Sequence, residues 1–282
     1  MIDTHQHLIL PDLFDYAWTK DYPQLHGRFG LEEYRAAAAN TGIQGTLFME
    51  ADVDEAQSGK EARFICRMAK DPENGILGVV AAGRPEKEGF DEYLDSIAHQ
   101  KLRGIRRVLH TQPTQLSTTS LFRENVARLA QRQLTFDLCV NQHQLGLALE
   151  LVRACPATSF ILDHCGVPDI ATNAAPDGKG FLAWEKAIYQ MAAELNVSAK
   201  LSGIPTYADE CQRTPAGLQP YVHVLLDAFS PARIVWGGDW PVVNLGAGLF
   251  RWSEITRELL IGLSATERKD VLESNARRIY SL

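Results

Sequence analysis

Short apolar runs alternate along this chain with stretches whose apolar residues return every three or four positions. The runs fall at residues 1–7, 44–50, 76–82, 104–110, 135–141, 159–164, 197–202 and 233–237. Each is too short for a helix and rich in Val, Ile, Leu and Phe, the signature of strands buried on both faces. Between them, helical spacing appears at 31–41, 55–70, 89–99, 119–132, 143–154, 181–195 and 218–228, and two more helices, at 250–261 and 265–279, follow the last run. Strands alternating with helices exclude a sandwich and predict a parallel α/β sheet. Eight such units are the number that closes a (β/α)8 TIM barrel, and one domain over 1–282 is the economical organisation. An open doubly wound sheet is the alternative. It is disfavoured because neither a G-x-G-x-x-G nor a P-loop follows the first run.

Most apolar runs end in ionisable or hydrogen-bonding residues. In barrels of this kind the active site forms at the C-terminal ends of the strands. Those ends carry His5 and His7, Glu50, Arg106 and His110, Asp137 and Asn141, His164, Lys200 and Ser202, and Asp239. If residues 1–7 form a strand, Asp3, His5 and His7 share a face, with the two histidines roughly 6.5 Å apart, close enough to converge on one metal ion, water or carbonyl. The alternative is a pair of surface histidines at a frayed terminus. Alternation in the fourth run turns Arg106 and His110 inward, and in the seventh it turns Lys200 inward. A cation inside a barrel must be paired or offered to a ligand. Asp239 sits in Trp236-Gly237-Gly238-Asp239-Trp240-Pro241, where two glycines permit a tight turn that presents the acid, and His164 precedes a Gly-Pro loop. A long aromatic loop, 8–30, holds Trp18 and Tyr22 and either caps a pocket or packs on the body. A Gly/Pro/Asn-rich loop is expected over 165–180.

Composition narrows the partners. With a net charge of −7 and no basic run, nucleic acid is not expected as a ligand. No apolar stretch is long enough to span a membrane, and no leader pattern opens the chain, so a cytoplasmic protein is expected. Five cysteines, an odd number without C-x-x-C spacing, suit buried thiols rather than disulfides. No G-x-S-x-G elbow exists, and no His/Asp set is visibly arranged to activate a cysteine.

The motifs Asp3-Thr4-His5-Gln6-His7, Gly104-Ile105-Arg106, Asp163-His164-Cys165-Gly166-Val167-Pro168, Lys200-Leu201-Ser202-Gly203 and Gly238-Asp239-Trp240-Pro241 resemble the amidohydrolase superfamily, in its amidohydrolase-2 branch of sugar lactonases and pyrone-dicarboxylate lactonases. The resemblance spans nearly the whole chain. It implies hydrolysis of a small sugar lactone. Asp239 would be the general base, and His5, His7 and His164 would polarise the ring carbonyl or, with Asp239, hold one divalent metal. Zinc is the first choice, and members of the group differ in whether they need it. Arg106, His110 and Lys200 are then expected to hold substrate polar groups, with Trp18 and Trp240 offering flat faces to the ring. The same resemblance leaves a metal-dependent decarboxylase or a lactone isomerase as alternatives, and both a monomer and a homo-oligomer open. The segment Thr111-Gln112-Pro113 stands where relatives often carry a more acidic stretch.

Overall fold

The computed structural model describes residues 1–172 and 178–282; residues 173–177 of the expected 165–180 loop lie outside the described residues. All eight expected strands form: β1 (Ile2–Gln6), β2 (Gly45–Met49), β3 (Ile76–Ala82), β4 (Leu102–Val108), β5 (Thr135–Cys139), β6 (Phe160–Leu162), β7 (Val197–Leu201) and β8 (Ile234–Trp236). They pair in parallel in sequence order. Residues around β8 close the ring onto β1: the hydroxyl of Thr4 donates to Trp236 O (2.7 Å), Asp239 N–H to His5 O (2.8 Å), and His7 N–H to Trp240 O (2.8 Å). The result is a (β/α)8 barrel.

Alternation along the strands builds two cores. Outward residues such as Val79, Ile105, Phe136 and Leu201 join the large core beneath the surrounding helices. That shell includes α1 (Leu31–Ala37), α2 (Ser58–Met68), α3 (Phe90–Ser96), α4 (Ser120–Arg128), α5 (Leu145–Ala154), α6 (Lys179–Ala192), α7 (Pro215–Phe229) and α8 (Leu249–Leu259). Helix α7 shows how such an element starts: Thr214 caps it by accepting from Gly217 N–H, and Pro215 occupies the first turn, where its missing N–H is no loss. Inward residues Ile2, Leu47, Met49, Val80, Ile161 and Val235 form a second, smaller cluster inside the barrel, plugged by Ala276 and Tyr280 of the C-terminal segment.

Three strand boundaries differ from the expectation in ways that matter for the site. The sixth strand stops at Leu162 rather than 164, because His164 and Cys165 take left-handed backbone conformations (φ 51° and 56°) and lift out of the sheet. The fourth ends at Val108, so His110 lies beyond the strand instead of facing the interior from within it. The first strand carries a bulge: Asp3 and Gln6 pair with Thr46 and Phe48, one residue fewer on the β2 side. The extra residue changes the alternation. Ile2 points into the barrel, and its neighbour Asp3 points out and accepts hydrogen bonds from Tyr34 on α1 (2.7 Å) and Gly238 N–H (2.6 Å). The expectation that Asp3 shares a face with His5 and His7 is therefore corrected.

Candidate active site

The bulge that sends Asp3 outward returns His5 and His7 to the interior. There they meet residues more than 150 positions away. The His5 ring centroid lies 4.8 Å from that of His7 and 4.4 Å from that of His164. Asp239 reaches across: its Oδ1 is 3.6 Å from His7 Nε2 and 3.8 Å from His5 Nε2, and its Oδ2 is 4.0 Å from His164 Nδ1. Backbone geometry makes this approach possible. Asp239 is itself left-handed (φ 57°), a conformation that costs a non-glycine residue about 1–3 kcal/mol. Gly203, at φ 68°, leaves room for both partners: a Cβ there would stand 2.5 Å from His164 Nδ1 and 3.1 Å from Asp239 Oδ2. Asp239 is 2% exposed, yet its Oδ2 accepts no hydrogen bond from the protein. A buried carboxylate oxygen without a donor is expensive unless something else binds there.

Below these four groups lies a paired ionic layer. Lys200 Nζ is 2.8 Å from Asp137 Oδ2, 2.8 Å from Asp163 Oδ1 and 3.3 Å from His5 Nδ1. Tyr280 from the C-terminal plug donates to Asp137 Oδ2 (2.7 Å). Burial alone would lower the Lys200 pKa, but the two carboxylates outweigh it and hold the ammonium charged. Burial would likewise raise Asp163, and Lys200 and His5 drive it well below the usual carboxylate range. His5 is pushed well below its ordinary value, by burial first and then by Lys200 and His164, so it stands neutral. Arg106 closes the other side. Its Nε donates to Glu50 Oε1 (2.6 Å) and its Nη2 to Glu50 O (2.7 Å), while Nη1 lies 3.3 Å from His5 Nε2.

Above the four groups opens a cavity of about 330 Å³. His7, His164, Asp239, Arg106 and His110 line it, as does Trp18 from the long aromatic loop. That loop does both things expected of it: Trp18 and Tyr22 border the cavity, and Phe14 and Tyr16 bury against the body. Two expected substrate contacts are elsewhere. Lys200 is fully buried between its carboxylates beneath the cavity, because two acids on β5 and after β6 neutralise it. Trp240 is 2% exposed and packs edge-on against Phe29 (5.5 Å) and Tyr34 (5.3 Å), since it runs on beside β1 in a parallel bridge to Gln6 and its indole meets Tyr34 of α1. Neither lines the cavity. Glu50, Asp163 and Tyr207 are participants that sequence reasoning did not carry forward as site residues. Glu50 ends an apolar run and was legible to that extent; Tyr207 lies in a loop without periodicity and gave no signal.

A family model described as amidohydrolase matches residues 2–282. The chain belongs to the amidohydrolase family. Among curated relatives, the L-fucono-1,5-lactonase of Burkholderia ambifaria is 27% identical over 100% of this chain and 95% of its own length. The L-rhamnono-gamma-lactonase of Scheffersomyces stipitis is 24% identical over 100% and 98%. Among solved structures, an amidohydrolase from Burkholderia multivorans crystallised with bound zinc superposes with a TM-score of 0.89 at 25% identity, covering 100% of this chain and 99% of that one.

The donor set of this amidohydrolase fits a divalent ion. His5, His7 and Asp239 bring ligand atoms within 4.8 Å of one another, and His5, Asp163 and His164 do the same. Tetrahedral zinc, with bonds of about 2.0–2.1 Å, separates its ligand atoms by about 3.3 Å, close to the 3.6 Å between His7 Nε2 and Asp239 Oδ1. His7 Nδ1 lies 3.0 Å from both Met49 O and Glu50 O. Carbonyls only accept, so Nδ1 carries a proton, and in the neutral imidazole Nε2 would present its lone pair to the Asp239 carboxylate. Two electron-rich atoms face one another there, the arrangement that a cation or a water proton resolves.

Proposed function

We propose that this amidohydrolase opens the ring of a small, uncharged sugar lactone by attack of water. The observation that carries the reading is Asp239 Oδ2, buried, undonated and set beside His164 and the cavity floor. A water held at that oxygen loses its proton to Asp239 as it attacks the lactone carbonyl, a role that contributes roughly 10²–10⁴-fold in rate. Negative charge then develops on the carbonyl oxygen. His164, which lines the cavity with His5 packed behind it, would polarise it, and removing one such donor costs about 3–4 kcal/mol. His7, whose Nε2 faces Asp239, helps to hold the water. A divalent ion bound by His5, His7, His164 and Asp239 would supply Lewis-acid polarisation of the same carbonyl.

The cavity's charge supports a neutral substrate. Arg106 is its one Lys or Arg side chain among the described residues, and that guanidinium is already held by Glu50. Asp21 and Asp52 add negative charge at the border. Hydroxyl groups suit carboxylates as donors; a carboxylated lactone would meet repulsion. Trp18 supplies a flat face for the C–H side of a sugar ring, its Nε1–H anchored on Ala51 O (2.9 Å). His110, at the cavity wall, is a further polar contact.

Ring opening releases acid, so a pH-indicator screen of the purified chain against a panel of aldonolactones, with and without added zinc, tests the reading. Acid release from at least one of them is the expected result. Silence across the panel under both conditions would reject the proposal.

A further inference from the structure

Hydrolysis of a lactone makes two demands on hydrogen-bond donors. Charge appears first on the carbonyl oxygen and then on the ring oxygen, which leaves as an alkoxide. The imidazoles answer the first demand, and nothing assigned so far answers the second. The polar groups lining the cavity differ in what already binds them. Trp18 Nε1 is spent on Ala51 O, and Thr206 Oγ1 lies 3.5 Å from Val242 O. Thr111 Oγ1 accepts from Gln112. Tyr22 is 45% exposed. Tyr207 differs from all of these. It is half-buried, lines the cavity, and stands 6.3 Å ring to ring from His164 at an interplanar angle of 61°. Among the described residues, no protein group hydrogen-bonds its hydroxyl.

The position of Tyr207 is not casual. It ends the turn Ile204–Tyr207, which follows Gly203, the left-handed residue packed on both His164 and Asp239. Its backbone carbonyl accepts from Ala171 N–H (3.1 Å), tying the turn to the loop after β6. Ile204 and Pro205, at the start of the same turn, are buried. The ring is therefore held from both sides with a free phenol in the cavity.

We propose that Tyr207 is a further catalytic residue, whose hydroxyl donates a hydrogen bond to the ring oxygen of the lactone as the carbon–oxygen bond breaks. The inference rests on the lactone reading above. The bond formed joins the water oxygen to the carbonyl carbon, and the bond broken joins that carbon to the ring oxygen, which keeps the electron pair. The proton that Asp239 took from water ends on that oxygen as the product's hydroxyl, so Asp239 and Tyr207 both return to their starting states. Burial, and then the charge of Asp239, push the phenol pKa well above its ordinary value. Tyr207 thus remains a donor throughout the cycle.

The test is Tyr207→Phe, which removes one oxygen that no described protein group binds. It is assayed on the aldonolactone that the wild-type chain hydrolyses fastest, and on dihydrocoumarin, an aryl lactone whose phenolate leaves without help. On the aldonolactone kcat falls about 10²–10³-fold, as for loss of one preorganised donor, with KM changed by less than about 3-fold. On dihydrocoumarin the loss is under about 10-fold. The melting temperature moves by less than about 2 °C, which separates a chemical role from a structural one. An unchanged kcat on the aldonolactone, a loss confined to KM, or equal losses on both lactones would overturn the assignment. If dihydrocoumarin is not turned over by the wild type, the kcat and KM split on the aldonolactone decides alone. If the wild type hydrolyses no aldonolactone, it is the lactone reading that fails, and the two failures are told apart.

Discussion

The two ends of the barrel interior are built from the same eight strands and do opposite things. At the N-terminal end, Ile2, Leu47, Met49, Val80, Ile161 and Val235 pack into a dry cluster under a C-terminal plug. At the C-terminal end, three imidazoles and a carboxylate converge under an open cavity, with an Asp239 oxygen left undonated. Between them lies the layer of Lys200, Asp137 and Asp163, fully buried, with one ammonium ion-paired to two carboxylates. The comparison teaches that burial does not separate structure from function here, since all three layers are nearly inaccessible. Whether polar atoms have partners does. The middle layer is held by the Lys200 ion pairs, although Asp163 Oδ2 has no hydrogen-bond partner among the described residues, and only the upper layer turns such an atom toward the cavity.

The contrast can be broken from either end. The largest effect is expected from Asp239→Asn, which leaves the shape but removes the base: lactone turnover falls about 10²–10⁴-fold while the melting curve stays close to wild type. Near-normal kcat would place the base elsewhere. Lys200→Met strikes the middle layer and strands two buried carboxylates, so a loss of about 3–5 kcal/mol in denaturant unfolding is expected. A loss under about 1 kcal/mol would show that the layer is hydrated. Leu47→Ala opens a cavity at the dry end and destabilises by about 2–5 kcal/mol with kcat unchanged. A kcat change there would mean that the two ends communicate.

The smallest effect concerns His110 at the cavity wall. Burial first, and then the Arg106 guanidinium, lower its pKa from 6.5 to about 4. The unfolded chain therefore binds more protons than the folded one between about pH 6.5 and about 4. His110's contribution to stability is intact above that window, shrinks as pH falls through it, and is gone below it. His110→Gln should flatten the acid side of the stability profile in that window. An unaltered slope would show that His110 titrates normally.

Several of these features were legible along the chain. Eight apolar runs fell at eight strands because a strand buried on both faces must be apolar almost throughout. His5, His7, His164 and Asp239 stood out because each follows such a run, at the end where parallel barrels place their chemistry. Arg106 was placed correctly inside, and its Glu50 partner ends the second run, two strands away. Other features were not legible, for identifiable reasons. One extra residue in β1 reversed the direction of Asp3 while keeping His5 and His7 inside, and a bulge leaves no mark in periodicity. Lys200 read as a possible ligand contact because its partners lie on other strands; Asp137, for one, is 63 positions away. Trp240 read as a sugar platform until its place beside β1 set it against Phe29 and Tyr34.

By itself, then, the sequence determined how many strands there are, which residues end them, and which of those can do chemistry, because burial and alternation are local and repeat along the chain. Only the tertiary structure decided which of those polar groups pair with one another and which atoms, like Asp239 Oδ2 and the Tyr207 hydroxyl, have no hydrogen-bond partner among the described residues at the cavity. Pairing depends on distances between side chains that the sequence keeps far apart.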